Sequence, residues 1–240
     1  MKTAILTLTC GRPGFTVETW RHNFANHGMK DAPLVYWFDN GSTPDELQPM
    51  MEEAAKHNFV YSHFESQNKG IAYALNHLLR QAHSDGIRQF MTMANDIKEP
   101  PGWLDFRVRA AADIDNTGVV AIPVDGAARY GRKHVNGWVI DEGTVIGNWL
   151  ITEQAYNKIG GFCMDYGIYG PLDIDYCERM KVAGLRYYYI SDLYAEHVGE
   201  PKNNPAEYQA EKMASLNASW AVFKSNQKAY QVGAKIYQDA

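Results

Sequence analysis

The chain has 240 residues, 45 % of them hydrophobic and 21 % charged, the proportions of a globular protein with a substantial buried core. Its formal net charge of -5 excludes a general attraction to nucleic acid or an anionic membrane, although a local basic patch is compatible with it. Cys10, Cys163 and Cys177 form neither a disulfide framework nor a CxxC zinc pattern, which fits a reducing, cytoplasmic setting. No stretch reaches the ~20 apolar residues of a membrane helix, so integral membrane contact is not expected.

Residues 3 to 9 alternate polar and apolar side chains. They read as a strand rather than a signal peptide and end in the turn Cys10 to Gly14. A helix with Phe15, Trp20 and Phe24 on one side follows. Pro33 opens a second strand, 34 to 38, which stops at Asp39-Asn40-Gly41-Ser42. Ser42 or Thr43 caps the next helix, which runs to about Lys56, and Glu46 supplies the acid of a capping box with Thr43. A third strand, 58 to 63, leads to Asn68-Lys69-Gly70. Ile71, Leu75, Leu78 and Leu79 then mark one face of a helix that Gly86 ends. A fourth strand, from Phe90, turns polar at Asn95 and Asp96, and Pro100, Pro101 and Gly102 stop it. Strands alternating with helices predict a mostly parallel sheet with covered faces, a nucleotide-binding half of the Rossmann type.

The second half is less regular. A helix is expected over 104 to 115 and a strand over 119 to 123. Residues 125 to 138 are Gly-rich and basic, a loop or irregular hairpin. A strand over 144 to 150 precedes a short helix capped by Thr152 and closed by Gly160-Gly161. The loop 165 to 175 leads into a helix with Asp173, Cys177 and Met180 along one face. A strand over 186 to 190 leads to Glu196-His197, and the tail has helical spacing at Met213, Leu216, Trp220 and Phe223.

Four polar clusters thus follow predicted strands: Thr9 to Arg12, Asp39 to Ser42, Asn68 to Gly70, and Asn95-Asp96. In a parallel sheet all four lie at the carboxyl edge, where ligands bind. Each alone also reads as a turn, and Asp96 alone also reads as a cap for the following helix. As a ligand, its carboxylate would hold a divalent cation and, through it, a diphosphate. There is no Walker loop and no GxGxxG after the first strand, so neither ATP hydrolysis nor NAD chemistry is supported.

DNGS (39 to 42), NKGIAYALN (68 to 76), the Asn-Asp pair before a Pro-Gly-Trp-Leu stretch (95 to 104), GGF (160 to 162), LDIDYCER (172 to 179) and a histidine at 197 stand in a specific order. The set resembles the family-two glycosyltransferases of the GT-A fold over roughly residues 1 to 199. The resemblance implies an α/β, GT-A architecture over 1–200. It divides into a nucleotide-binding half (1–103) and an acceptor half (104–200), with a C-terminal helical extension (201–240). It implies inverting transfer from a nucleoside-diphosphate sugar, a UDP-sugar by preference, to an acceptor hydroxyl. A glycan, a protein or a modified nucleic acid are open as acceptors. Asp39 falls where the family binds base or ribose, with Thr9 and Arg12 beside it. Asn68 and Gly70 fall in the segment over the nucleotide. Asn95 and Asp96 occupy the DxD position with its first acid missing. Asp96 and His197 would hold Mn²⁺ or Mg²⁺, and a metal-independent variant is also open. Asp173 falls on the general base, Leu172 replacing the preceding Glu, and Asp175 is the rival base or a first-turn acid. Arg129, Arg132, Lys133 and His134 either face the diphosphate or an acidic acceptor, or belong to a solvated loop. A sugar-nucleotide-binding protein without transfer and a sugar-phosphate nucleotidyltransferase are the competing functions.

Overall fold

The computed structural model describes residues 2–124, 131–199 and 206–240. β1 (Thr3–Thr9), α1 (Pro13–Ala25), β2 (Leu34–Asn40), α2 (Pro44–Ala54), β3 (Phe59–Glu65), α3 (Ile71–Ser84) and β4 (Gln89–Met93) form the expected alternation. β5 (Ile97–Lys98), α4 (Trp103–Asp113), β6 (Thr117–Ala121), β7 (Arg132–Val135), β8 (Trp138–Glu142), β9 (Trp149–Thr152) and α5 (Glu153–Ile159) follow. α6 (Leu172–Val182), β10 (Arg186–Ile190), β11 (Glu196–His197) and α7 (Ala206–Gln231) complete the described elements.

Nine strands form one sheet in the order β3-β2-β1-β4-β9-β6-β10-β8-β7. β1 runs parallel to β2, with Leu8 opposite Phe38, and parallel to β4, with Thr7 opposite Met93. β6 and β10 are also parallel to each other. β9 is wedged antiparallel between β4 and β6, so the sheet is mixed at its centre. Alternation sends Ala4 and Leu6 of β1 to one face and Ile5 to the other. The first face packs on α3, α5 and α6, the second on α1, α2 and α4. β4 is buried throughout because both its faces are covered.

Three expectations need correction. The strand placed at 144 to 150 is β9, which begins at Trp149. β8 precedes it and was not anticipated. The basic stretch yields a regular hairpin, β7 and β8, closed by Asn136 and Gly137 at φ 49° and 85°. These are the positive angles an Asn-Gly hairpin turn requires. Finally, Asp96 does not cap α4, whose N-cap is Gly102.

α7 packs on α6 and on the short turn Met164–Tyr166, with the Ser215 and Ser219 hydroxyls donating to the carbonyl of Tyr169. Beyond α7 the chain returns to pair Gln238 with Gly160. No described helix is long and apolar enough to cross a membrane.

Candidate active site

The carboxyl end of β4 is built into a charged corner. After Asn95 and Asp96 the chain forms β5, which pairs with β11 so that Ile97 lies opposite His197. That register lands the His197 imidazole beside Asp96, Nε2 3.4 Å from Oδ2. From the other side Arg12, in a left-handed conformation at the start of α1, donates Nη1 to the same oxygen at 3.0 Å. The corner is held from below. Asn23 donates to the carbonyl of Ile97 and accepts from the amide of Glu99. The buried Glu99 carboxylate in turn takes Arg107 and Asn148, and Asn148 accepts from the amide of Ala94. The backbone of Gly199 lies over the ion pair. A Cβ there would overlap both Asp96 Oδ2 and Arg12 Nη2, so a larger residue would have to displace the ion pair.

These neighbours set the charges. Burial pushes the Asp96 carboxyl up, but His197 and then Arg12 outweigh it and hold it below its ordinary value. The hydrogen bond to Asp96 raises His197 against the opposing effect of burial.

The adjoining strand ends form a polar network of their own. Asp39 is fully buried. Its oxygens accept from the Thr9 hydroxyl at 2.6 Å, the Gly41 and Ser42 amides at 3.2 and 2.8 Å, and the Ser42 hydroxyl at 2.6 Å. Four donors use the four lone-pair directions of a carboxylate. Asp39 therefore shapes the turn, and a contact to base or ribose requires the Thr9 or Ser42 hydroxyl to swing away. Thr9, offered as a binding residue, is equally enclosed and accepts from Trp37 Nε1 at 2.8 Å. Asn40 is the residue that sequence reasoning missed. Its amide donates to Asn68 Oδ1 and the carbonyl of Gly70, and its oxygen accepts from the amide of Lys69. Asn40 thereby fixes the loop before α3. The buried Gly70 is covered by Gly167 and Ile168, so it supports the loop rather than facing a ligand. Asn95 turns to Thr16 Oγ1 at 2.9 Å.

Asp173 and Asp175, both in the first turn of α6, meet opposite surroundings. Burial pushes the Asp173 carboxyl up to about 7, with the backbone amide of Gly147 pulling the other way. The residue keeps part of its surface open. Gly147 packs toward the Ile97 side chain, next to Asp96, so Asp173 belongs to the same edge as the charged corner. Asp175 is fully buried; one of its oxygens accepts from the Tyr166 and Tyr230 hydroxyls at 2.6 and 2.5 Å and the other from Arg179 Nε at 2.9 Å. These bonds tie the first turn of α6 into the interior.

The basic residues of the hairpin form ion pairs of their own. Arg132 pairs with Asp192 at 3.6 Å and Lys133 with Glu142 at 2.6 Å, on the terminal strand of the sheet. His134 lies on the same edge strand, and Arg129 lies outside the described residues.

The remaining test is whether the corner fits a divalent cation. A carboxylate and an imidazole converge there, donor types that suit Mn²⁺, and two protein donors leave room for phosphate oxygens and water. Among the described residues no group of three or more His, Cys, Asp and Glu side chains is placed to hold an ion. The two donors fit an ion whose remaining ligands would come from outside the protein.

The sequence model described as "Glycosyl transferase family 2" matches residues 16–164 of the chain. No curated protein matches by sequence. Among solved structures, GalNAc-T7 with UDP, GalNAc and Mn²⁺ superposes with a TM-score of 0.67 at 12 % identity, covering 85 % of this chain and 45 % of that one. A mannosyltransferase of Pyrobaculum calidifontis in complex with GDP-Man and Mn²⁺ gives 0.62 at 15 %, covering 84 % and 58 %. S. aureus TarS 1–349 with UDP gives 0.60 at 16 %, covering 82 % and 60 %. The chain thus spans about half the length of the solved structures it matches.

Proposed function

Because the chain belongs to glycosyl transferase family 2 and has the GT-A fold, we propose that it transfers a sugar from a nucleoside-diphosphate sugar, a UDP-sugar by preference, to an acceptor hydroxyl with inversion. The observation that carries this reading is the shared edge. The Arg12–Asp96–His197 corner supplies charge for a diphosphate, and Asp173, with its carboxyl near neutrality, supplies a base beside it.

In the proposed reaction Asp173 takes the proton of the acceptor hydroxyl as its oxygen bonds to the anomeric carbon. The bond from that carbon to the diphosphate breaks on the opposite face, and the diphosphate leaves with the electron pair. Arg12 and His197, paired on Asp96, would supply positive charge for that leaving group. Asp96 and His197 would hold a divalent cation, Mn²⁺ or Mg²⁺, which supplies charge neutralisation for the diphosphate. Asn40 and Asp39 keep the two loops beside the nucleotide in shape.

Incubation with a panel of UDP- and GDP-sugars and Mn²⁺ tests the reading. Slow release of nucleoside diphosphate is expected, with water replacing the acceptor, and Asp173→Asn should abolish it. Tight binding without release would instead make the chain a binding protein. Pyrophosphate formed from a nucleoside triphosphate and a sugar phosphate would make it a nucleotidyltransferase.

A further inference from the structure

Arg12 is over-provided with donors for the one bond it makes. Nη1 reaches Asp96 Oδ2, and the Phe15 ring lies 4.8 Å from the guanidinium carbon, fixing the plane of the group. The other two nitrogens, Nε and Nη2, are buried, and neither has a hydrogen-bond partner among the described residues. A guanidinium presents its donors as a fork that matches two oxygens of a phosphate. Buried donors left without acceptors cost free energy, and sites that tolerate them use them when a ligand arrives. His197 approaches the same Asp96 oxygen, so Arg12 occupies a position that a cation bridging Asp96 and His197 would need.

We propose that Arg12 is an internal counter-cation that exchanges partners. Without ligand it neutralises Asp96. With the donor bound, its guanidinium passes to the diphosphate oxygens and leaves Asp96 Oδ2 open to a divalent cation. This rests on the nucleotide-sugar reading above. Two consequences follow. A divalent cation binds the free protein weakly, because Arg12 competes for Asp96. Nucleotide and cation then bind cooperatively, each strengthening the other by the same factor, while the nucleotide keeps an affinity that needs no metal.

The test measures Mn²⁺ binding by electron paramagnetic resonance and UDP binding by calorimetry, for the wild type and Arg12→Gln. Arg12→Met, which keeps an unbranched stem of similar length without the guanidinium, repeats both should Arg12→Gln fail to fold. Removing the guanidinium should tighten binding of Mn²⁺ alone by about tenfold or more and weaken metal-free UDP by a similar factor. The mutual enhancement between Mn²⁺ and UDP should shrink. If Mn²⁺ alone binds the variant no better than the wild type, Arg12 does not compete for Asp96 and the proposal fails. If neither UDP nor GDP binds the wild type with or without Mn²⁺, the nucleotide-sugar reading itself fails. The Mn²⁺ titration still decides the competition.

Discussion

Asp173 and Asp175 sit two residues apart on α6, yet substitution should expose different roles. Asp173→Asn keeps the helix start and removes the proton acceptor. Turnover should fall roughly a hundred- to ten-thousand-fold while donor affinity stays, because the base faces the acceptor. Asp175→Asn strips the charge opposite Arg179, and both side chains are fully buried. Breaking such a pair costs about 3–5 kcal/mol. That variant should unfold early in denaturant, and whatever stays folded should turn over near the wild-type rate. Equal loss of turnover at unchanged stability would mean that Asp175 is the base after all. Gly199→Ala makes a third case. Its methyl group would collide with Arg12 and Asp96 together, so binding of Mn²⁺ plus UDP should weaken more than ten times while the melting temperature moves little. Unchanged binding would show that the segment over the ion pair yields freely.

At the scale of elements, α7 and the tail act as a strap across α5 and α6. Gln238 donates to the carbonyl of Ile159 and accepts from the amide of Gly161, and Arg179 reaches the carbonyls of Ile159, Gly161 and Ile236. The strap lies so close that a Cβ on Gly160 would overlap the Gln238 carbonyl. Deleting residues 233 to 240 removes six hydrogen bonds to the rest of the chain at ~1 kcal/mol each, among them those to Ile159, Gly161 and Arg179, and should lower Tm by roughly 10–20 °C. Hydrogen exchange should quicken over residues 159 to 171 and the start of α6, which carries Asp173. Unaltered exchange there would show that the strap positions nothing. This strap was legible in the sequence only as helical spacing at Leu216, Trp220 and Phe223; its partners are distant and left no local pattern. The strands and helices up to β4 were legible because both their periods and their breakers are local. The corner was legible in part. Asp96 and Arg12 stand at strand ends, but His197 reaches them through β5 and β11, two residues each and too short to carry any period. The β7–β8 hairpin was obscured by its charges, although Asn136-Gly137 was the signal that marked it. The structural role of Asp39 was hidden because a carboxylate after a strand reads the same whether its partners are a nucleotide or the chain's own amides and hydroxyls.

For the molecule as a whole, acid and base pull stability and activity apart. Burial raises Glu53, but hydrogen bonds from Arg21, Lys56 and His57 outweigh it and hold its carboxyl at about 2. Hydrogen bonds from Lys133 to Glu142 lower that carboxyl too, and Asp96 is lowered in the corner. A carboxyl lowered by folding gives stability that is present above its unfolded value, near 4, and is lost as pH falls through the folded value. Asp173 runs the other way. Folded, it keeps its proton up to about 7, whereas the unfolded chain gives it up near 4, so its contribution declines as pH rises between the two. His197 adds to that decline, because its folded value is raised and its stabilisation is lost as pH rises through it. Stability should therefore peak at about pH 5 to 6. With Asp173 as the proposed base, turnover should rise through about pH 7 as its carboxyl ionises, past the stability maximum. Asp173→Asn removes the neutral limb. Its Tm should gain on the wild type steadily from about pH 4 to 7 and run parallel to it above. Melting curves of both proteins over that range, beside the pH profile of wild-type turnover, make the measurement. A Tm difference that does not change with pH would mean that the Asp173 carboxyl titrates as an ordinary surface acid. It would then lose the poise near neutrality on which its role as the base depends.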